Sequence, residues 1–377
     1  MSDMPIFQHA RRIVIKIGSA VLDQALATED YTMFADLIGA MAHYVNLGKE
    51  LILVTSGAVS TGMRMTDLKE KPHEIVKKQA LAAIGQTKLM QLYHEHFWSH
   101  RIQTGQVLLT RESFEHRRQS LNLRYTLEEL LANRVVPIIN ENDSVAIEEL
   151  RYGDNDQLSA LTAIHIQAQL IIFLTTVDGV YTQNPAINPQ ARFLDTIDLT
   201  QIKELSALAQ GKSTVGSGGM ASKLNAAELV AQAGIAAIIC QGKDMGTLYR
   251  IADGKAAGTF IAAVDTGFSA WEKWLMANSS ARGKRIYVDL GAVNALRENG
   301  RSLLSSGITT ISGTFQKGDV VKVMDAQHRP IAKGIVNYSS FEIERIKGLQ
   351  SNEIEQVLGY EAYPEVIHRN NMVILPQ

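Results

Sequence analysis

Two clusters of short carboxamides and carboxylates, at residues 140–143 and 153–156, are the strongest candidates for chemistry in this sequence. The first cluster directly follows the apolar run 135–139, which predicts a buried strand that ends at polar residues. Open α/β sheets bind their ligands at the carboxyl ends of the strands. Asn and Asp also form turns and helix caps, and a single cluster would indicate no more than that. Two clusters that flank one loop favour a polar binding site.

Two lysines occupy positions where a cation needs a physical reason. Lys16 lies in an otherwise apolar strand pattern, where a lysine is costly unless it meets an opposite charge; the alternative is an edge strand that leaves it solvated. Lys223 lies in the first turn of a predicted helix, where a cation opposes the helix dipole. A bound polyphosphate would explain both positions. Asp156, at the start of its own predicted helix, is either a simple N-terminal cap or the residue that holds the two lysines.

Three turns built from Gly, Ser and Thr lie next to predicted strands or helices, at residues 16–19, 55–58 and 217–220. Glycine lets backbone N–H groups approach an anion closely because no Cβ intervenes. A helix N-terminus behind such a turn adds free donors and about half a positive charge. Since all three turns are expected at one edge of one sheet, they indicate a phosphate or carboxylate site.

The elements that would position these residues alternate between apolar strands and helices. Predicted strands lie at residues 13–17, 51–54, 106–109, 135–139, 170–174 and 236–240, and the predicted helices include 74–98, 123–133, 157–167 and 221–233. Near-continuous apolar strands in such alternation are typical of a mostly parallel sheet covered by helices on both faces. The predicted fold class is therefore α/β.

The sequence pattern changes after about residue 264. Short β-like runs separated by glycine turns follow at residues 285–288, 307–313, 319–323 and 331–336. They predict a small, mostly β second domain. We therefore expect a first domain at residues 1–265, a linker at 266–282 and the second domain at 283–377.

Bulk composition limits the classes of protein that fit. The formal net charge of −2 gives no general attraction to nucleic acids or membranes. The N-terminus lacks an apolar signal segment, no stretch approaches the length of a membrane span, and the single cysteine, Cys240, lies in an apolar run. We expect a cytoplasmic protein with a buried, reduced thiol.

Residues 13–264 resemble the amino acid kinase family, and within it the members that phosphorylate the side-chain carboxylate of glutamate. The matching motifs, in the family's order, are V-I-K-I-G-S in the first strand, V-T-S-G-A-V at 54–59, A-A-I-G-Q at 82–86, G-Q-V-L-L-T-R at 105–111, I-N-E-N-D at 139–143, G-D-N-D at 153–156 and G-S-G-G-M-A-S-K at 216–223. Residues 283–361 resemble a PUA domain, which is also found fused to such kinases. The resemblance implies an amino acid kinase fold followed by a PUA-like domain.

The resemblance also implies roles for individual residues. Lys16 and Lys223 would be catalytic and contact the ATP phosphates and the transferred phosphoryl group, while Asp156 would orient both. Glutamate would be held by Ser56, Gly57, Asn140, Asp143 and Asn155. The nucleotide would be bound by Lys16, Thr175, Thr176, Ser217, Gly218, Gly219, Met220, Ala221, Ser222 and Lys223. The family usually has Asp at the position of Thr176, with Asp178 nearby in this chain, so the detail of that contact stays open.

The implied reaction is ATP + L-glutamate → ADP + γ-glutamyl phosphate, the first step of proline synthesis. A carboxylate with a pKa near ~4.3 is already ionised at neutral pH, so the reaction needs no general base. Catalysis would consist of positioning and of charge stabilisation by the lysines, backbone N–H groups and Mg²⁺. Mg²⁺ would lie largely on phosphate oxygens and water, without a dedicated protein metal site. Asp143 is a candidate partner for the ammonium group of free glutamate, which an N-acylated substrate lacks.

Other functions stay open at this point. The acceptor could be aspartate, N-acetylglutamate or carbamate, or the PUA-like domain could give the protein an RNA-binding or regulatory role. Residues 283–361 contain ten Lys/Arg and nine Asp/Glu, without the basic excess of an RNA-binding surface, so we do not expect RNA binding as the main function. The resemblance further implies feedback inhibition by proline, a homo-oligomer, expected to be a tetramer, and handover of the labile product to glutamate-5-semialdehyde dehydrogenase.

Overall fold

The structure, a computed structural model, describes residues 6–375 apart from positions 29, 111, 116, 146–154, 186, 210–218, 265–271, 273, 274, 276–280, 282, 361 and 362. The chain forms two compact units, residues 1–267 and 268–377. Each unit has its own cluster of buried apolar side chains. Every helix in the described part of the chain is too short or too polar to span a membrane.

The first unit alternates strands and helices along most of its length. Its strands are β1 (Arg12–Ile17), β2 (Glu50–Val54), β3 (Thr104–Leu109), β4 (Val136–Glu141), β5 (Leu170–Thr175), β6 (Val180–Tyr181), β7 (Phe193–Leu194), β8 (Thr196–Ile197), β9 (Ala236–Gln241) and β10 (Thr259–Ile261). Its helices are α1 (Ile6–His9), α2 (Ser19–Ala25), α3 (Thr32–Asn46), α4 (Ala58–Met65), α5 (Ile75–Ser99), α6 (Glu112–Glu115), α7 (Arg117–Ala132), α8 (Asn155–His165), α9 (Leu199–Ala209), α10 (Met220–Gln232) and α11 (Met245–Ala252).

Eight of these strands form one sheet in the order β3-β4-β2-β1-β5-β9-β10-β8. The neighbours from β3 to β9 are all parallel, and β10 pairs antiparallel with β9. The chain builds the sheet to one side of β1 with β2 to β4, and to the other side from β5 onward. Open sheets bind ligands at such a reversal of strand order, outside the carboxyl ends of the strands. The predicted α/β class with a mostly parallel sheet is confirmed.

The strand that carries Lys16 lies at the centre of the sheet. Lys16 of β1 is in register with Val54 of β2 on one side and Phe173 of β5 on the other. The alternative of a solvated lysine on an edge strand is therefore wrong. The predicted strand end at residue 139 is also wrong, because β4 continues through Asn140 and Glu141, which pair with Leu108 and Leu109 of β3.

Helices α4 and α5 pack at unusually close range through two glycines. A Cβ added at Gly85 of α5 would lie 1.9 Å from the carbonyl oxygen of Ala58 and 2.4 Å from the backbone nitrogen of Gly62. A Cβ added at Gly62 of α4 would lie 2.0 Å from the carbonyl oxygen of Leu81. These distances are far below van der Waals contact, so only glycine allows the two backbones to approach this closely. The contact fixes α4, which begins directly after the turn at residues 55–57.

The second unit is built on a five-stranded sheet, as its mostly β prediction requires. The strands are β11 (Arg285–Val288), β12 (Ile308–Ser312), β13 (Val320–Met324), β14 (Pro330–Ile335) and β15 (Met372–Ile374), in the order β12-β11-β13-β14-β15. Helices Leu290–Arg297, Ser340–Ile346 and Ile354–Leu358 accompany the sheet. The sequence pattern predicted the first four strands and missed β15, which has only three residues.

The close contact between α4 and α5 predicts that replacing a glycine by alanine changes the free energy of unfolding in opposite directions in α5 and α3. We expect Gly85→Ala to lower the free energy of unfolding by about 1–3 kcal/mol or more, because its Cβ would overlap backbone atoms that cannot rotate away. Gly39→Ala in α3 is the matched control, since its nearest atoms lie at 3.8 Å and 3.9 Å on the His100 ring. It should raise the free energy of unfolding by about 0.5–1 kcal/mol through helix propensity. Urea denaturation measures both, and equal effects of the two variants would contradict the proposed packing role.

Candidate active site

Three ionised side chains meet at the carboxyl end of the central strand. Lys16 Nζ lies 2.5 Å from Asp156 Oδ1, and Lys223 Nζ lies 3.0 Å from Asp156 Oδ2. All three side chains are almost completely buried, at 1%, 0% and 6% exposure for Lys16, Asp156 and Lys223. The structure thus brings together the two lysines and the aspartate that the sequence singled out. We call these three residues the Lys–Asp–Lys cluster.

Three separate elements position this cluster. Lys16 is the fifth residue of β1, whose other side chains are apolar from Ile13 onward. Asp156 lies in the first turn of α8, where the helix dipole favours an acidic side chain. Lys223 lies in the first turn of α10, where the same effect is unfavourable and the Asp156 carboxylate offsets it. The three side chains together carry one net positive charge, and a buried site with this charge attracts an anion.

A chain of amide side chains lies next to the cluster and links β2, β4, α5 and α8. Asn155 Nδ2 donates to the backbone oxygen of Thr55 and, at 2.8 Å, to Asn140 Oδ1. Asn140 Nδ2 donates at 2.8 Å to Gln86 Oε1. The Thr55 hydroxyl contacts the Tyr93 hydroxyl at 2.8 Å, which connects the chain to the apolar core. Thr55, Gln86, Asn140 and Asn155 are all buried. We call Thr55, Gln86, Asn140 and Asn155 the amide network.

The donor and acceptor roles in the amide network follow from one backbone carbonyl. Asn155 Nδ2 has two protons, and both are used by the Thr55 oxygen and Asn140 Oδ1. A ligand can therefore meet Asn155 only at Oδ1, which accepts hydrogen bonds. Asn140 Oδ1 already accepts from Asn155 and, at 2.9 Å, from the Glu141 backbone nitrogen. Asn155 thus suits a donor ligand such as an ammonium group.

The other predicted substrate residues lie in turns at the same edge of the sheet. Ser56 and Gly57 follow β2, and Gly57 caps α4 with a φ of 87°, the left-handed region that favours glycine. A Cβ at Gly57 would also lie 2.5 Å from Leu22 Cδ2. Asp143 is half-buried in the turn after β4, three residues beyond Asn140.

The predicted nucleotide-binding residues lie at the ends of β5 and α10. Thr175 is the last residue of β5, in register with Gln241 of β9, and Thr176 follows in an exposed turn. Gly219 caps α10, and its first turn holds Met220, Ala221, Ser222 and Lys223. The neighbouring Asp178 carboxylate accepts hydrogen bonds from the Tyr181 hydroxyl at 2.8 and 3.0 Å, and this bond raises the pKa of Tyr181.

Some predicted site positions lie outside the described residues. Other residues contact the site but were not predicted from the sequence. Ser217 and Gly218, as well as Gly153 and Asp154, fall outside the described part of the chain. Gln86 belongs to the amide network and Tyr93 contacts it through the Thr55 hydroxyl, but neither residue was assigned a role from the sequence. Two signals pointed to Gln86: it ends the A-A-I-G-Q motif at 82–86, and it is a polar residue three positions before the buried Leu89 on the apolar face of α5.

Comparisons with known proteins identify the family of the chain. Residues 11–241 match the amino acid kinase family, and residues 284–358 match the PUA domain. The chain is 41% identical to glutamate 5-kinase from Thermoanaerobacter sp. (strain X514) over 364 residues, which cover 97% of this chain and 98% of that protein. It is 43% identical to glutamate 5-kinase from Syntrophotalea carbinolica over 374 residues, which cover 98% of each. The resemblance inferred from the motifs is confirmed.

One solved structure shares the fold at low sequence identity. N-acetylglutamate synthase from Neisseria gonorrhoeae superimposes with a TM-score of 0.50 and 14% identity, over 69% of this chain and 63% of that one. A likeness at this identity concerns the fold alone. It is consistent with the large parallel sheet of the first unit.

Neutralising the shared carboxylate should strongly destabilise the fold. We expect Asp156→Asn to lower the free energy of unfolding by about 3–5 kcal/mol, because two buried ammonium groups lose their common counter-ion. Adding Lys16→Met to that variant should recover part of the loss, since one of the two buried charges is then removed.

The matched control for this prediction is Asp253→Asn. Asp253 pairs with Lys255 at the same 3.0 Å separation as the Lys223 pair, but both side chains are more than half exposed. The control should leave the unfolding free energy nearly unchanged, as is usual for surface pairs. Chemical denaturation of the four proteins tests this, and an equal loss in the two single variants would show that burial does not matter here.

Proposed function

The chain belongs to the amino acid kinase family and is a kinase, and we propose that it transfers the γ-phosphoryl group of ATP to the γ-carboxylate of L-glutamate. The products would be ADP and γ-glutamyl phosphate, in the first step of proline biosynthesis. The observation that supports the reaction type is the buried Lys–Asp–Lys cluster at the carboxyl end of the central strand. The relatives named glutamate 5-kinase, 41% and 43% identical over nearly the whole chain, support glutamate as the acceptor.

The proposed reaction does not require a protein side chain to transfer a proton. The γ-carboxylate of glutamate, with an ordinary pKa near ~4.3, is ionised at neutral pH and can attack without a general base. The barrier lies in bringing this anion in line with a polyphosphate. Lys16 and Lys223 would contact the phosphate oxygens and stabilise the charge that spreads over them in the transition state. Asp156 holds both ammonium groups in place, so their positions are set before the substrates bind.

The nucleotide would lie across the ends of β5 and α10. The backbone N–H groups of Met220 and Ala221 point out of the N-terminus of α10 and suit phosphate oxygens, whereas those of Ser222 and Lys223 donate to the Gly219 carbonyl. Thr175 and Thr176 would contribute to the nucleotide side, together with Ser217, Gly218 and Gly219. Mg²⁺ bound to the phosphate oxygens would supply charge neutralisation, and the cluster with its net positive charge fits the polyphosphate that carries it.

The acceptor would lie against the amide network. Ser56 and Gly57 supply a turn that only glycine can form, and Asn155 Oδ1 is left to accept a hydrogen bond from the ammonium group of glutamate. The Asp143 carboxylate adds a negative charge at the same edge of the sheet. A neutral N-acyl amide would bring neither the charge nor the number of donors that these groups suit.

Further properties belong to the same proposal. Proline carries an α-carboxylate and a charged amine, so it could compete with glutamate and act as a feedback inhibitor. The protein would work as a cytoplasmic homo-oligomer, expected to be a tetramer. Because γ-glutamyl phosphate is a labile acyl phosphate, direct handover to glutamate-5-semialdehyde dehydrogenase would protect it from hydrolysis.

Removing either lysine of the cluster should mainly lower kcat. We expect Lys16→Met and Lys223→Met each to reduce kcat by at least about 10²-fold, because each ammonium group stabilises charge on the transferred phosphoryl group. Lys255→Met is the control, since Lys255 is an exposed lysine paired only to surface Asp253 among the described contacts. ATP-dependent formation of γ-glutamyl hydroxamate measures all three. A loss of less than fivefold in both cluster variants, against the expected loss of about 10²-fold, would rule out their proposed role.

Removing the Asp143 carboxylate should mainly weaken glutamate binding. We expect Asp143→Ala to raise the KM for glutamate about tenfold or more, with a smaller change in kcat, because a charge-assisted contact to the ammonium group is lost. The same assay with aspartate and N-acetylglutamate as acceptors shows whether the preference for free glutamate narrows. An unchanged KM would make the assignment of Asp143 to the substrate wrong.

A further inference from the structure

Gln86 presents a buried hydrogen-bond donor that the fold itself does not use. Its side chain is 8% exposed, and its Nε2 atom has no hydrogen-bond partner among the described residues. Leaving a buried amide donor unpaired is energetically unfavourable. Because the group lies next to the proposed acceptor site, its unused donors suit a ligand atom that accepts hydrogen bonds.

The orientation of the Gln86 amide is set by the groups behind it. The Thr55 carbonyl fixes Asn155 Nδ2, and Asn155 Nδ2 together with the Glu141 nitrogen fixes Asn140 Oδ1. Asn140 Nδ2 must then donate, so the Gln86 oxygen is the atom that faces it. Exchanging the oxygen and nitrogen of Gln86 would set two donors against each other. Nε2 is therefore the free end of the amide network.

The unused hydrogen-bonding groups of the amide network are an acceptor at one end and donors at the other. Asn155 offers an acceptor at Oδ1, whereas Asn140 keeps one N–H and Gln86 keeps two. An α-amino acid carries the complementary pair, an ammonium group that donates and a carboxylate that accepts. The neutral side chains of the amide network thus complement both charged ends of an amino acid, in addition to the proposed contact of Asp143 with the ammonium group.

The position of Gln86 relative to the strands of the sheet indicates which carboxylate of the substrate it would contact. Gln86 contacts β4, and β4 is separated from β1 by β2, so the Gln86 end of the network lies roughly 10 Å from Lys16 at a strand spacing of ~4.8 Å. The γ-carboxylate must lie by the Lys–Asp–Lys cluster to receive the phosphoryl group. The carboxylate that extends toward β4 is then the α-carboxylate.

We propose that Gln86 is a substrate-binding residue whose Nε2 donates to the α-carboxylate of the amino acid acceptor. This inference rests on the proposed function, because it takes glutamate as the acceptor. It makes Gln86 a specificity residue that selects substrates with a free α-carboxylate. It also gives a physical reason for a glutamine on an otherwise apolar helix face.

The test compares L-glutamate with L-isoglutamine, in which the α-carboxylate is an amide while the γ-carboxylate and the ammonium group are kept. ATP-dependent ADP release gives kcat and KM for both acceptors in the wild type and in Gln86→Met, which keeps the length of the side chain and removes its donors. We expect the KM for glutamate to rise about 10- to 100-fold in the variant, with kcat little changed. Turnover of isoglutamine should hardly change, so the preference for glutamate should collapse.

Two further variants make the outcome specific. Gln86→Glu keeps an oxygen for Asn140 but sets a negative charge against the α-carboxylate, so its KM for glutamate should exceed that of Gln86→Met. Gln91→Met, on an exposed residue of the same helix, is the control and should behave as the wild type. If Gln86→Met does not fold, the ratio of the two acceptors in Gln86→Glu decides the matter.

The outcomes separate the inference from the proposed function. A wild type that releases no ADP with glutamate would end the proposed function and the inference with it. An active wild type, with a glutamate KM or an acceptor preference that is the same in the Gln86 variants, would overturn the inference alone. A KM that rises equally for both acceptors would also overturn it, because Gln86 would then act only by holding Asn140.

Discussion

Two lysine ammonium groups share one aspartate carboxylate in the interior of this protein, and the rest of the first unit is arranged around that interaction. Removing such ions from water is expensive, and the attraction between them compensates only when the geometry is held tightly. Three elements supply that rigidity: the central strand β1 and the first turns of α8 and α10. Because Asp156 balances only one of the two positive charges, the same arrangement that stabilises the fold also attracts an anion.

The amide network differs from the Lys–Asp–Lys cluster because it offers neutral hydrogen-bonding groups of fixed direction. Its polarity originates at the backbone oxygen of Thr55, which cannot be reoriented without moving the end of β2. Each amide then fixes the next, so the neutral side chains Asn155, Asn140 and Gln86 offer an acceptor at one end and donors at the other. Neutral amides cost less to bury than charges do. Under the proposed function, the network would contact a zwitterion beside a strongly charged cluster without adding another fully buried ion.

The residues of this site that could be predicted from the sequence include those whose charge is unfavourable in their local secondary structure. Lys16 and Lys223 are conspicuous because a cation is unfavourable in an apolar strand and at a helix N-terminus. The end of β4 could not be predicted, since Asn140 and Glu141 are polar and take strand conformation only by pairing with β3. Helix α4 was missed because it is short and the residues that it buries, Ala58, Thr61 and Gly62, are small or polar; Ala58 and Gly62 pack against α5. The contact between Gln86 and Asn140 could not be predicted either, because the two residues lie 54 positions apart in the chain.

The close contact between α4 and α5 connects core packing to the chemistry of the site. Gly85, which touches the backbone of α4, directly precedes Gln86, and α4 itself begins at the turn formed by Ser56 and Gly57. A side chain at Gly85 would overlap the backbone of α4 and displace α5, the helix that carries Gln86 and its 2.8 Å hydrogen bond to Asn140. The distance between two helix backbones thus sets the distance between the glycine turn and the amide network. A site that binds an acceptor between these two features needs that distance to be constant, and a contact of backbone on backbone is less adaptable than one of side chains.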